Sequence, residues 1–216
     1  MNEGRIERFR AALGKPLPGR AAHARFEPDL AFGRHCGPAP ASARAAAVML
    51  LLYERNGAWY VPLTVRPAHL THHAGQVSLP GGSVEPDESS VAAALRELEE
   101  EIGVNPASVE PLGTLSSLYL FVTDFVITPH VAVVAPAPAF RPNPDEVAEV
   151  LELQMSMLAD VEPCERVKRG LRSLSFYAPA MCLAGHVVWG ATAMMLAELG
   201  AVWAGADSEG ETNCES

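Results

Sequence analysis

No apolar run in this chain is long enough to cross a bilayer. The longest, Ala45 to Tyr53, falls far short of the roughly 20 residues that a spanning helix needs. Basic residues are also in the minority. The net charge is −10, from 16 Lys+Arg against 26 Asp+Glu. Phosphate backbones and anionic membranes are held by summed positive charge, so neither a nucleic acid nor a membrane is an expected partner. Cysteine is scarce and scattered. Cys36, Cys164, Cys182 and Cys214 form no CxxC pair and no zinc-type spacing. They are expected to be reduced thiols of a cytoplasmic protein. Residues 1–15 carry acids among their arginines and have no apolar stretch of the kind a secretory leader uses. Glu3, Glu7, Glu27 and Asp29 count against a mitochondrial presequence in this Arg-containing region. Internal repeats are absent.

What is present suits one domain with a sizeable core: 216 residues, 49% hydrophobic and 19% charged. Its organising stretch is Gly82 to Val104. At about 100° per residue, Glu97, Glu100 and Glu101 share one side of a helix, and Val91, Leu95, Leu98 and Ile102 take the other. Glu99 points away from the three acids. Like charges at i,i+3 and i,i+4 cost roughly 0.2–0.5 kcal/mol per pair, and a bound hard cation such as Mg²⁺ would compensate them. A solvated acidic face is the plainer account of the Glu run alone. Ser89 reads as the N-cap and Gly103 as the residue that ends the helix. Arg96 is spaced to pair with Glu100.

Elsewhere, residues 3–13 form an amphipathic helix with Ile6, Phe9 and Leu13 on one face. The Pro/Gly/Ala-rich residues 14–43 form an irregular arm that either wraps the domain or reaches a second subunit. Its Arg20, Arg25 and Arg34 serve solubility or contact a substrate phosphate. Residues 45–53 read as a strand buried on both faces, turned by Asn56-Gly57 into a second strand over 59–66. Pro62 within it calls for an edge or a bulge. A short strand is expected at 76–79, then a tight turn at Gly81-Gly82. Two strands follow at 111–120 and 124–134, where His130 reads as a satisfied core or edge histidine. A short helix covers 153–160, a hairpin 171–177 with 185–189, and a closing helix 190–203. The polar residues 205–216 are expected to be disordered.

The order Gly82, five residues, Glu88, seven residues, Arg96-Glu97-Leu98, one residue, Glu100-Glu101, one residue, Gly103-Val104 resembles the Nudix box at each of its nine defined positions. The resemblance implies an α/β (α+β) fold, the Nudix-type αβα sandwich around a mixed, curved β-sheet, over residues 44–204. It implies Mg²⁺- or Mn²⁺-dependent pyrophosphatase chemistry on nucleoside diphosphates linked to another group, and it allows a homodimer. It assigns metal binding to Glu97, Glu100, Glu101 and the Gly81 carbonyl, with Arg96 orienting a glutamate. Leu63-Thr64-Val65-Arg66, Gly75 and Pro80-Gly81-Gly82 are similar to the upstream signature of coenzyme A pyrophosphatases, although Thr71 stands where that signature often has Arg and Leu79 where it has Phe. Phe140 to Val150 and Val188 to Ala193 are similar to further segments of that subfamily. Arg66, His73, Gly75 and Gly82 are then the substrate-binding candidates. Glu100, or after it Glu146, is the acid that orients or deprotonates water, and Glu146 or Glu149 is a further ligand candidate. A structural turn at Glu146 stays open. The substrate implied is coenzyme A or acyl-CoA, giving a 4′-phosphopantetheine and adenosine 3′,5′-bisphosphate. ADP-ribose or a dinucleotide, a non-catalytic Nudix-like binding module, and an acidic structural helix are the alternatives.

Overall fold

The computed structural model describes residues 3–70, 74–171, 174–183 and 185–211. In chain order its main elements are α1 (Glu3–Leu13), α2 (Arg20–His23), β1 (Arg44–Arg55), β2 (Ala58–Val65), β3 (Val77–Ser78), β4 (Gly81–Ser83) and α3 (Ser90–Ile102). Then come β5 (Val109–Thr114), β6 (Leu118–Leu120), β7 (Phe125–Val134), β8 (Glu149–Gln154), β9 (Glu165–Leu171), β10 (Leu174–Leu183), β11 (His186–Trp189) and α4 (Gly190–Glu211).

The central element is β1. It pairs parallel with β7 and antiparallel with β2 and β4 within a mixed eight-stranded sheet. Its continuous apolar run serves two cores, because successive side chains point to opposite faces. Val48, Leu50 and Leu52 join one core, built with α1, α4 and the arm; Ala47, Met49, Leu51 and Tyr53 join the other, under α3. This is the mixed α+β layering expected for the Nudix fold. Between β1 and β2, Asn56 and Gly57 both adopt left-handed backbone. Pro62 needs no bulge. On that flank of β2, pairing with β1 ends at Tyr60 and pairing with β3 starts at Thr64, so the proline falls in the gap.

The arm wraps the domain. His23, Phe26, Ala31 and His35 are buried, and Phe9 and Trp59 both pack edge-on against Trp203 of α4, at 4.9 and 5.7 Å between ring centres. Five expectations change in the fold. The short helix expected at 153–160 is instead the end of β8 and one 3-10 turn, Met155–Leu158. The stretch 111–120 is two strands, β5 and β6, because β5 is irregular at Pro111/Gly113 and its pairing with β7 ends at Thr114. The final hairpin gains β9 and becomes a three-stranded sheet. The closing helix runs past Trp203 to Glu211, so residues 205–211 are helical. Cys164 and Cys182 form a disulfide, not a pair of free thiols. Only the β9–β10 pairing brings them to a Cα separation of 5.9 Å, and no sequence spacing announces that. Among the described residues, Cys36 is the free cysteine, and no helix is long and apolar enough to cross a membrane.

Candidate active site

The site forms where β4 lies between β1 and α3. Gly81 and Gly82 are not a turn here. They extend as a short strand, with Gly82 opposite Ala47 and Gly81 opposite Val48. Each glycine answers a close approach. A Cβ on Gly81 would sit 2.3 Å from the Ala47 carbonyl oxygen, and one on Gly82 would sit 2.2 Å from Oε1 of Glu97. The absence of side chains at Gly81 and Gly82 therefore lets α3 lay its acids against the sheet edge.

At its N-terminus α3 is capped by the Ser89 hydroxyl, which accepts from the Ala92 N–H at 3.3 Å. The Gly103 N–H closes the C-terminal end on the Glu99 carbonyl at 2.9 Å. Ser90 is tied to the sheet through its hydroxyl and His130 Nε2, 3.0 Å apart. Burial lowers the His130 pKa. The buried face is rotated from the one the apolar pattern predicts. It comprises Ala93, Ala94, Leu98, Glu101 and Ile102, while Val91 and Leu95 are only partly covered. That rotation carries Glu101 inward.

Glu97, Glu101 and Glu146 each place a carboxylate oxygen within 4.8 Å of the other two. Glu101 is 5% exposed. Burial pushes its carboxyl up to about 7, with Glu97 and Glu146 adding to the shift and the Gly81 N–H, 3.4 Å away, and Arg66 opposing it. Burial also raises Glu97, against the pull of Arg96. Glu146 arrives from the loop before β8. The Arg141 and Asn143 N–H groups donate to the Ile102 and Glu101 carbonyls at 2.8 and 2.9 Å, so the loop docks on the end of α3. Asn143 performs the turn: its carbonyl accepts from the Glu146 and Val147 N–H groups and its side chain from Asp145. The Glu146 carboxylate is left to face the acids.

Glu100, expected among the ligands and as first choice for orienting water, lies outside this cluster. On a helix it is rotated about 100° from Glu101, its side chain is 54% exposed, and it is bonded to Arg96 at 3.1 Å. Arg96 also donates to Glu97 at 2.8 Å, to both oxygens of Glu88 at 3.1 and 3.2 Å, and to the Ser83 carbonyl at 3.1 Å. One guanidinium thus fastens three acids and β4 together. Its hydrogen bonds, with one from the Glu85 N–H, hold Glu88 below the usual carboxylate range. Glu149 is also apart, exposed and 3.5 Å from His186.

Arg66 follows β2. Its Nε is buried with no hydrogen-bond partner, and its positive charge acts on Glu101. The Gly75 N–H donates to the Arg66 carbonyl at 3.0 Å, closing the loop between them. Thr71 and His73 lie outside the described residues. Sequence reasoning did not see that Glu88 shares Arg96, although a basic residue eight positions on, inside one motif, was a usable signal. It also missed Asn143, whose Asn-Pro context signals a turn.

A hard divalent cation fits this oxygen-only set. Comparisons with known proteins agree on the family. Residues 43–171 match the NUDIX domain. The chain is 37% identical over 167 residues to "Uncharacterized Nudix hydrolase NudL" of Shigella flexneri, covering 74% of this chain and 83% of that one. It is 37% identical over 163 residues to the protein of the same name from Escherichia coli K12, covering 72% and 81%. Its fold is similar to that of RenU, a Nudix hydrolase from M. smegmatis, with a TM-score of 0.51 at 19% identity over 79% of this chain and 87% of that one. The chain belongs to the Nudix hydrolase family and is a pyrophosphohydrolase.

Proposed function

We propose that this hydrolase cleaves the diphosphate bridge of coenzyme A or an acyl-CoA, releasing a 4′-phosphopantetheine and adenosine 3′,5′-bisphosphate. The observation that carries the reading is the position of Arg66. It ends the Leu63–Arg66 segment similar to the coenzyme A-type signature, and its buried Nε has no partner beside the acidic cluster. A guanidinium so placed suits an anionic phosphate oxygen.

Nudix enzymes generally use divalent metal ions. Here Glu97, Glu101 and Glu146 would hold Mg²⁺ or Mn²⁺, with Gly81 contributing its carbonyl. Bound there, the ion would neutralise phosphate charge and lower the pKa of water. The chain's own groups do the rest. Arg66 binds and orients the diphosphate. Gly81 and Gly82 let it approach the backbone of β4, and Gly75 closes the loop that follows Arg66. Arg96 holds Glu97 in place and draws Glu100 aside, so Glu100 lies on the rim. The water-orienting role passes to Glu146, whose carboxylate takes the proton of the attacking water.

The test is to incubate the protein with Mg²⁺ and coenzyme A, ADP-ribose or NADH, and to resolve the products by chromatography. Preferential release of adenosine 3′,5′-bisphosphate from coenzyme A is the expected result. Preference for ADP-ribose or NADH overturns the substrate assignment. Failure to hydrolyse any of the three overturns the catalytic reading of the cluster.

A further inference from the structure

The arm contains a second group of metal-ligating side chains, remote in type from the first. One ring nitrogen each of His23 and His35 lies with Cys36 Sγ so that all three fall within 4.8 Å of one another. The histidines are 1% and 2% exposed, yet His23 Nδ1 and both nitrogens of His35 have no hydrogen-bond partner. Buried polar atoms are normally satisfied by a hydrogen-bond partner. Two buried rings with bare nitrogens beside one thiol indicate a missing partner. Neither ring is held by stacking alone: their centres are 5.4 Å apart and tilted.

The surroundings resemble a finished second layer. His23 Nε2 lies 2.9 Å from the Glu198 carboxylate, which is fully buried in α4. A carboxylate on the far nitrogen fixes the ring so that the near one is a free donor, as in carboxylate–histidine–zinc arrangements. Glu198 is itself held by the Gly19 N–H at 3.0 Å and by the Ser116 N–H and hydroxyl at 3.2 and 2.6 Å. Glu27 stands 3.8 Å from His35 Nδ1. Arg20 is the neighbouring cation. Ionised Cys36, Glu27 and Glu198 against Arg20 leave two net negative charges, which suit a divalent ion. Cys36 is exposed, giving access from solvent.

We propose that His23, His35 and Cys36 bind Zn²⁺, with Glu198 as the positioning carboxylate. Imidazole and thiolate are ligands that favour zinc over Mg²⁺, so the two sites take different metals. Binding displaces the Cys36 thiol proton to solvent, and water fills the fourth position. The ion ties the two short turns of the arm to each other and, through Glu198, to α4.

Titration of the full chain with Co²⁺ as a spectroscopic substitute tests this. One equivalent should give thiolate-to-cobalt charge-transfer absorption, and Zn²⁺ should abolish it. C36S should lose the band and bind Zn²⁺ at least about tenfold more weakly, with its circular dichroism unchanged. C214S and the E97Q/E101Q double variant should keep the band. Zn²⁺ should raise the thermal midpoint of the parent and not of C36S. No thiolate band at excess Co²⁺, its survival in C36S, or its loss in E97Q/E101Q overturns the proposal.

Discussion

A Cβ on Gly82 would lie 2.2 Å from Oε1 of Glu97. The glycine is therefore part of the carboxylate's seat. Gly82 is not among the positive-φ glycines, so Gly82→Ala leaves the backbone unstrained and acts through displacement of Glu97. The expected outcome is about a 10–100-fold loss of metal affinity and kcat/KM with the circular dichroism spectrum retained. Mg²⁺-dependence of the rate in the parent and variant measures it. A fully active variant would show that Glu97 need not lie against β4.

Glu101 should cost the metal-free fold stability. Its carboxyl titrates near 7 in the folded chain against 4.5 for the unperturbed group. The folded state holds the proton more tightly, so the stability linked to it is fully present below about 4.5 and lost as pH rises through 7. That amounts to about 3 kcal/mol by pH 8. In EDTA, Glu101→Gln should be more stable than the parent at pH 8 and equal to it near pH 4, by urea denaturation. It should also be inactive. Equal stability at both pH values would contradict the burial argument.

Glu198→Ala removes a fully buried carboxylate that satisfies Gly19, His23 and Ser116. Breaking a buried charged group away from its partners costs about 3–5 kcal/mol. Burial raises the Glu198 pKa, but hydrogen bonds from His23 and Ser116 outweigh it and leave the pKa lowered. Its stabilisation is therefore present above about 4.5 and lost as pH falls through the folded value. Burial lowers His35 as well, which adds stability lost below about 6.5. Limited proteolysis should release the arm first at acid pH, and in E198A already at pH 7.

Reduction of Cys164–Cys182 should loosen the β9–β10–β11 sheet. The two cysteines are 18 positions apart, and closing a loop of that size stabilises by about 3 kcal/mol. The C164S/C182S variant should show faster amide exchange in these strands, with β1 and α3 unchanged. Unchanged exchange in the small sheet would mean that its packing suffices without the bond.

What was legible in the sequence is what local chemistry determines. Ser89 and Gly103 delimit α3 through bonds within four residues of themselves, and β1 announces itself by an apolar run that only a doubly covered strand tolerates. Non-local geometry was not legible. The twist of α3 that buries Glu101 and exposes Glu100 depends on β4, whose glycines have no side chain to hold it off. The docking of Glu146 beside Glu97 depends on two backbone hydrogen bonds from the 141–143 loop to carbonyls at the end of α3. Glu198 is one charged residue in an apolar stretch of α4, and its four donors come from segments about 80 and 180 positions earlier. Cys164 and Cys182 meet only because a strand rich in charge, β9, pairs with β10.

The central claim is that the reacting centre is Glu97, Glu101 and Glu146, with Glu100 on its rim. The most direct test compares steady-state hydrolysis of coenzyme A by Glu146→Gln and Glu100→Gln at saturating Mg²⁺. Glu146→Gln should lose about 10²–10⁴-fold in kcat, while Glu100→Gln should stay within about tenfold of the parent. The reverse order, with Glu100→Gln inactive and Glu146→Gln near normal, would contradict the account.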